Sequence, residues 1–260
     1  MADQLSLRFE PDPAGWPAPL RPMLAQPADA PFDDPEALFE PWWGGERVLA
    51  YIGRDVGEAG GGHDPSEHGA ATRSPLGLRL LSADGVVLTE LVPEIADLPE
   101  RLGGRPAILD GTLVAVDDAG RLDETGLAAR LGGRPGPGLA FLVYDLLWLD
   151  GRSLVAEPLE RRRSRLARLL KPSLSVVPVP PIAGEGRALC AAAAAQGVGW
   201  VLARDRRSPY LAGVRSSLWR LITVVPGAAL PGREAPEGGE PSSSPILALI
   251  RRLPLEDPGP

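Results

Sequence analysis

The run LAFLVYDLLWLDG at residues 139–151 constrains the fold most, because Asp145 is the single charged residue before its closing Asp-Gly pair. A strand with one face in water alternates apolar and polar residues, and this run does not alternate. It therefore predicts a strand that is buried on both faces and ends in a turn at Asp150-Gly151. A sheet that contains such a strand must have other secondary-structure elements packed on both of its faces.

Strand-like and helix-like patterns alternate along the rest of the chain. Asp84-Gly85 lies between two alternating runs and predicts a hairpin, and Asp110-Gly111 predicts a polar turn between two further strands. Helices are predicted where apolar residues recur at helical spacing before a glycine or after a proline. The predicted strands lie within 45–54, 76–91, 106–117 and 198–205, and 208–224 is predicted as a turn followed by a final strand. The predicted helices cover 92–104, 157–170 and 186–197.

The helix predicted at 157–170 is rich in arginine. Its sequence EPLERRRSRLARLL places four leucines on one face and arginines elsewhere. We interpret the arginines as a solvated helix face in preference to a phosphate site.

Composition marks the segments that are expected to lie outside the folded domain. With 31 Gly and 30 Pro in 260 residues, the chain is rich in loops. We expect a flexible N-terminus at 1–20, a domain at 21–224 with a loop insertion at 53–75, and a Pro/Gly/Ser-rich tail at 225–260. His63 and His68 lie in the loop, and without a supporting cysteine or carboxylate pattern they do not predict a metal site.

Charge and cysteine content exclude several classes of protein. No apolar run is long enough to span a bilayer, and the first residues lack a basic and then apolar leader, so we expect a cytoplasmic protein without membrane contact. The formal charge of −7 argues against non-specific nucleic-acid binding, so any DNA contact must be local. Cys190 is the single cysteine, which excludes an internal disulfide and predicts a small buried side chain. Lys171 is the single lysine.

Several blocks of the sequence resemble, in order, the adenylation (nucleotidyltransferase) domain of bacterial ATP-dependent DNA ligases of the end-joining type. They are FEPWWGGER (39–47), AILDGTLVAVD (107–117), FLVYDLLWLDG (141–151) and VGWVLARDRRSPYLAGVRSSLW (198–219). The resemblance extends from about Pro22 to Thr223. It implies an α+β fold of two antiparallel sheets with flanking helices, the nucleotidyltransferase fold shared with mRNA capping enzymes.

The resemblance also implies a chemistry of DNA repair and recombination. In that family a lysine amine attacks the α-phosphate of ATP, and the AMP passes to a DNA 5′ phosphate that the neighbouring 3′ hydroxyl then attacks. Acidic residues hold a divalent metal, and further cations neutralise phosphate charge.

This sequence departs from the family pattern at the residues that carry the chemistry. Trp42 stands at the position of the nucleophilic lysine, and an indole nitrogen is not a nucleophile. Three acidic positions are Gly44, Thr112 and Gly199. We therefore predict no catalytic residue and no metal ligand.

Other residues match the family pattern. Glu40 and Tyr144 occupy positions that contact adenine, and Arg47 occupies the position that reaches the ribose. Arginines stand at two late lysine positions that would touch phosphate. The resemblance thus gives a cofactor-binding set of Glu40, Trp42, Arg47, Tyr144, Arg204 and Arg220.

Two alternatives stay open at these positions. Asp110 and Asp145 either keep the family framework or cap turns by local hydrogen bonds. Trp42 and Trp43 either fill the cleft or form an exposed binding surface.

Three functions are compatible with the sequence. The first is a pseudoenzyme of DNA repair that binds a nucleotide, a DNA end or an active repair ligase. The second is an ATP-dependent ligase or nucleotidyltransferase that works by an atypical route, either without a covalent intermediate or with Lys171 as its nucleophile. The third is a structural module without a ligand.

ATP is a candidate cofactor, whereas the lost acids disfavour Mg²⁺ and Mn²⁺. The residues after Thr223 are too few for the oligonucleotide-binding barrel that follows this domain in the family. The sequence does not predict an oligomeric state.

Overall fold

The computed structural model describes residues 19–53, 76–117 and 122–224, which form two packed sheets with helices outside them. His63 and His68 lie outside the described residues, as do residues 1–18, 54–75 and 225–260 of the predicted termini and loop insertion.

Sheet I has five strands. Their order across the sheet is β1 (Leu24–Ala28), β11 (Arg215–Thr223), β10 (Trp200–Asp205), β2 (Asp34–Trp42) and β9 (Ile182–Gly184).

Sheet II is built around the most apolar strand of the chain. Its order is β4 (Gly77–Ser82), β3 (Glu46–Gly53), β5 (Ala107–Ala115), β6 (Leu139–Leu149) and β7 (Arg152–Ser153), and β8 (Val176–Pro178) also pairs with β6. Every residue of β6 is buried, which confirms the strand predicted from its unbroken apolar run. Strand pairing is antiparallel except for β1 with β11 and β6 with β8, so both sheets are mixed.

Helices cover the outer faces of the sheets. Sheet II is covered by α1 (Leu98–Arg101), α2 (Glu124–Leu131) and α3 (Leu159–Leu169), whose leucines pack on alternate residues of β3, β5 and β6. Sheet I is covered by α4 (Gly186–Ala195), which packs Leu189 and Cys190 near Phe39. The inner faces of the two sheets face each other. The α+β fold with flanking helices is therefore confirmed.

Asp110 and Gly111 do not form the predicted turn. They lie in the middle of β5, and Gly111 is not among the glycines with positive φ. A Cβ at Gly111 would collide with the carbonyl oxygen of Leu142 and the ring of Phe141 on β6. The glycine is needed for the close approach of two strands, while Gly45, at φ 83°, does occupy a turn that favours glycine.

Two other predicted elements form only in part. After the Asp84 turn, the second arm of the predicted hairpin pairs only through Val87 with Leu81, and a 3₁₀ turn follows at Thr89–Leu91. The helix predicted at 92–104 is divided into a 3₁₀ turn at Pro93–Ile95 and the single turn of α1. Prolines at both starts explain the division, since a proline cannot donate a backbone hydrogen bond. No helix among the described residues is long and apolar enough to cross a membrane.

Candidate functional site

The inner faces of the two sheets bring most of the predicted site residues together. Strand pairing places Trp42 opposite Trp200 and Glu40 opposite Leu202, so alternate residues of β2 and β10 face sheet II. In sheet II, Arg47 on β3 and Tyr144 on β6 face sheet I. We call the group between the sheets the cleft cluster, consisting of Glu40, Trp42, Arg47, Asp110, Tyr144, Arg163, Arg204, Tyr210 and Trp219.

Trp42 closes one side of the cleft cluster. Its ring stacks on Tyr144 with centroids 5.4 Å apart and an interplanar angle of 19°. The guanidinium carbon of Arg47 lies 5.1 Å from the centroid of the Trp42 ring. Trp42 is 7% exposed and Trp43 is 2% exposed, so both tryptophans are buried and neither forms an exposed surface. The packing agrees with the alternative in which they fill the cleft.

Arg47 is held by a carboxylate in β5. Its Nε and Nη2 each donate to an oxygen of Asp110 at 2.5 Å, and the hydroxyl of Tyr210 donates to Asp110 Oδ2 at 2.9 Å. Burial alone would lower the pKa of Arg47, but the contact with Asp110 outweighs it and the pKa is raised. The guanidinium is permanently charged. Asp110 lies within β5 and forms a buried ion pair, so it does not cap a turn, which was one of its two alternatives.

Glu40 forms ion pairs with two buried arginines. Its Oε2 contacts Arg204 and its Oε1 contacts Arg163, and the side chains of Glu40 and Arg204 are fully buried. Burial lowers the pKa of Arg163, and Glu40 opposes that shift. Removing one partner of such a group leaves an uncompensated buried charge. The carboxylate that the family resemblance assigns to adenine is therefore engaged by the protein itself.

Tyr144 lies between the charged groups of the cleft cluster. Its ring is within 5.9 Å of the guanidinium carbon of Arg47 and 5.8 Å of that of Arg204. Burial, and then the charge of Glu40, raise the pKa of the phenol, which stays neutral. Its hydroxyl has no hydrogen-bond partner among the described residues.

Trp219 closes the opposite side of the cluster. Its ring lies 5.0 Å from the guanidinium carbon of Arg204 and 6.0 Å from that of Arg47. Tyr210 meets it edge to face, with centroids 5.6 Å apart. The two arginines are thus enclosed by aromatic rings, an arrangement that stabilises buried cations.

Arg220 does not join the cleft cluster. It follows Trp219 on β11, so its side chain leaves the opposite face of the strand, where it is exposed and lies 5.3 Å from the ring centroid of Phe32. The structure thus brings together five of the six predicted binding residues and separates the sixth.

Lys171 lies on the other side of sheet II. Leu170 packs in the helix-covered core on the outer face of that sheet, and the Lys171 amide donates to the carbonyl of Arg101 beside α1. The side chain is exposed there. Sheet II therefore separates the only amine side chain of the chain from Trp42.

The positions of the family's acids hold no carboxylate. Gly44 has a φ of 74°, and Thr112 is fully buried with its hydroxyl unpartnered among the described residues. No group of three or more His, Cys, Asp or Glu side chains within 19–53, 76–117 and 122–224 could hold a metal ion.

Sequence reasoning missed Arg162 and Arg163. Both are buried, so the interpretation of the arginines of α3 as a solvated face is wrong for these two. Arg162 donates to both oxygens of Asp145, at 2.9 and 2.8 Å. Asp145 also accepts from the amide of Leu146, but it lies within β6 and so does not cap a turn. The signal was present in the helix period, since 162 and 163 fall between Leu159 and Leu166 on one face.

Each charged side chain of the cleft cluster contacts an opposite charge within the cluster. The cluster contains two carboxylates, three arginines and four aromatic rings, and no amine, thiol or imidazole. Trp42 stacks on Tyr144 and two arginines pair with Glu40, so the two residues that the family resemblance assigns to adenine are both in contact with side chains of the protein itself.

Comparison with known proteins gives a consistent result. The family model described as "ATP dependent DNA ligase domain" matches residues 78–221, more than half of the chain. The chain is 30% identical over 247 residues to the multifunctional non-homologous end joining DNA repair protein LigD of Mycobacterium tuberculosis, covering 90% of this chain and 28% of that protein. A probable DNA ligase of Sorangium cellulosum is 30% identical over 210 residues, covering 77% of this chain and 36% of its own length.

Solved structures agree with these relatives. The chain superimposes on a mycobacterial DNA ligase D complexed with ATP and MES with a TM-score of 0.61 at 25% identity, covering 78% of this chain and 60% of the other. The ligase domain of LigD from M. tuberculosis gives a TM-score of 0.59 at 27% identity, with 78% and 58% covered. The chain thus spans less than two thirds of the length of these relatives.

Proposed function

Since this chain belongs to the ATP-dependent DNA ligase family, we propose that it is a member without lysyl-AMP chemistry that serves DNA end joining as a binding module. The relatives include a multifunctional non-homologous end joining DNA repair protein, which supports the assignment to that process.

The observation that carries this proposal is the buried Trp42. The first step of the family's reaction needs an unprotonated amine at this position, and an indole cannot replace it. The tryptophan is also built into the fold through Tyr144 and Arg47. Opening the cleft for a nucleotide would break these contacts.

A cleft occupied by its own side chains supports binding through the outside of the domain. The bound partner would be a DNA end or an active repair ligase. Nucleotide binding in the family's manner is disfavoured by the engaged Glu40 and the covered Tyr144.

An enzyme with Lys171 as its nucleophile is the competing interpretation. The position of Lys171 outside the helix-covered face of sheet II argues against it. Its exposed side chain is separated from the cleft cluster by sheet II, so its amine does not reach the position of Trp42.

The decisive experiment on catalysis is the intact mass of the protein after incubation with ATP and Mg²⁺ or Mn²⁺, without acid treatment. We expect no gain of AMP by the wild-type chain or by Lys171→Arg. An adduct on the wild-type chain that Lys171→Arg abolishes would reject the proposal in favour of an atypical enzyme.

A purely structural module is the second candidate, because the packed cleft cluster is equally compatible with no ligand. Fluorescence anisotropy with a blunt 5′-phosphorylated duplex and with the same duplex closed by hairpin loops separates the two. Tighter binding of the open duplex supports a DNA-end module. Equal or absent binding of both duplexes, together with no capture of an end-joining ligase in a purified mixture, favours the structural module.

A further inference from the structure

A concave pocket on the outer side of sheet II lies apart from the cleft cluster. It has a volume of about 430 Å³ and lies between the turn after β6 and the last turns of α3. Leu149, Leu154 and Leu169 are its apolar lining residues and belong to, or pack against, the outer core of sheet II. The whole thickness of the sheet therefore separates this pocket from Trp42.

The rim of the pocket is formed by four arginines, Arg105, Arg152, Arg165 and Arg168, against one carboxylate, Asp150. Arg105 pairs with Asp150, and Arg165 donates to Glu157 at 3.0 Å. Arg152 and Arg168 have no ion-pair partner in the part of the chain that the structure describes. Two guanidinium groups thus face the pocket without a compensating charge.

The positions of the arginines around α3 explain why Arg165 and Arg168 both line the pocket. Arg162 pairs with Asp145 on β6 of sheet II, and Arg163 pairs with Glu40 on β2 of sheet I. Arg165 and Arg168, three residues apart, lie together on the opposite side of the helix. The helix therefore uses one pair of arginines for the core and presents another pair to the pocket.

The acidity of the whole chain does not oppose an anion at this site. Twenty of the 27 basic residues and 21 of the 34 acidic residues lie in 19–53, 76–117 and 122–224, so the formal charge of the described part is −1 against −7 for the chain. Most of the negative charge therefore belongs to residues outside these ranges, and the pocket itself is lined by four arginines and one aspartate.

We propose that this pocket is a second binding site, for a phosphate group, on the outer helical face of the domain. Guanidinium groups present planar pairs of N–H donors that match phosphate oxygens, and several converging arginines are the usual form of a phosphate site. The leucine lining is suited to contact with a sugar or base attached to the phosphate. The same chemistry is offered by a free phosphate and by the backbone of a DNA strand, and the site is independent of the state of the cleft.

The test uses two probes and two matched variants of the whole chain. One probe is inorganic phosphate, followed by isothermal titration, and the other is a short fluorescein-labelled duplex, followed by anisotropy. Arg152→Ala/Arg168→Ala removes two pocket cations. Arg187→Ala/Arg207→Ala removes two cations with side chains 70% and 74% exposed, outside the pocket, so the net charge changes equally.

We expect at least one probe to bind the wild-type chain. The pocket variant should weaken that binding by about tenfold or more, and the control variant by less than about twofold. Loss for the duplex with a smaller salt dependence identifies strand phosphate as the source, whereas loss for inorganic phosphate alone identifies a free anion. Circular dichroism should be unchanged, because all four substituted side chains are exposed.

Three results would overturn the site: no binding of either probe, unchanged binding in the pocket variant, or equal weakening in both variants, which would indicate bulk charge. None of these results depends on the mass experiment on the cleft. The two proposals therefore fail separately.

Discussion

Substitution of Trp42 tests whether this side chain is a structural part of the closed cleft. Truncation of a buried tryptophan to alanine costs about 3–5 kcal/mol in free energy of unfolding. Trp42 is 7% exposed, so nearly the whole of that range applies. The stacking on Tyr144 and the contact with Arg47 each contribute about 1 kcal/mol within it. We expect Trp42→Ala to lose about 4 kcal/mol.

Trp42→Phe is the matched control. The indole nitrogen has no hydrogen-bond partner among the described residues, so its removal breaks no hydrogen bond. The phenyl ring keeps the stacking on Tyr144, and we expect a loss of about 1 kcal/mol. Urea denaturation followed by circular dichroism gives both values, and unchanged m-values would show that the comparison concerns the native state. Losses below about 1 kcal/mol for both variants would refute the conclusion that Trp42 fills the cleft.

Three further predictions concern the core. Gly111→Ala should lower the free energy of unfolding by more than about 2 kcal/mol in thermal or urea denaturation, because a Cβ meets backbone and ring atoms of β6, while the exposed Gly138→Ala, with open space around it, should change it by less than about 0.5 kcal/mol. Glu40→Ala should cost about 3–5 kcal/mol, and in a double-mutant cycle with Arg204→Met the combined loss should be smaller than the sum of the two. Burial, with the charge of Asp33, raises the pKa of the Cys190 thiol to about 11. Its reaction with DTNB at pH 8 should therefore be slow until denaturant is added. The stability that the neutral thiol contributes is present below about pH 9 and is lost as the pH rises towards 11.

The sequence is sufficient to predict an element of the fold where its residue pattern has only one structural interpretation. The unbroken apolar run of β6 predicted the buried strand, and the ordered motif blocks predicted the two layers. Five of the six binding residues that these blocks predicted lie between the sheets. Arg220 was misplaced because a motif position does not state which face of β11 a residue occupies.

Tertiary contacts decided the remaining elements. Asp110-Gly111 has the local composition of a turn, but Arg47 from β3 neutralises the aspartate and β6 approaches too closely for any larger residue at Gly111. The residue type of Arg163 predicts a solvent-exposed side chain, although its position on α3 lies on the inward face of the helix. The carboxylate that reverses this assignment, Glu40, lies far away in the sequence and could not be paired with it before the fold was known.

The parallel pairing of β1 with β11 sets the order in which the domain can form. Leu24 pairs with Arg215, and Ala28 pairs with Ile222, so β1 can join its sheet only after β11 is available. The amide of Met23 likewise donates to the hydroxyl of Tyr210 across 187 residues of sequence, at 3.0 Å. Contacts of such sequence separation form slowly, because the entropy of closing the chain is lost before the contacts are gained. During synthesis, the N-terminal strand would leave the ribosome long before its partner exists, and the inner core around Trp219 would close only after nearly all of the domain has been made.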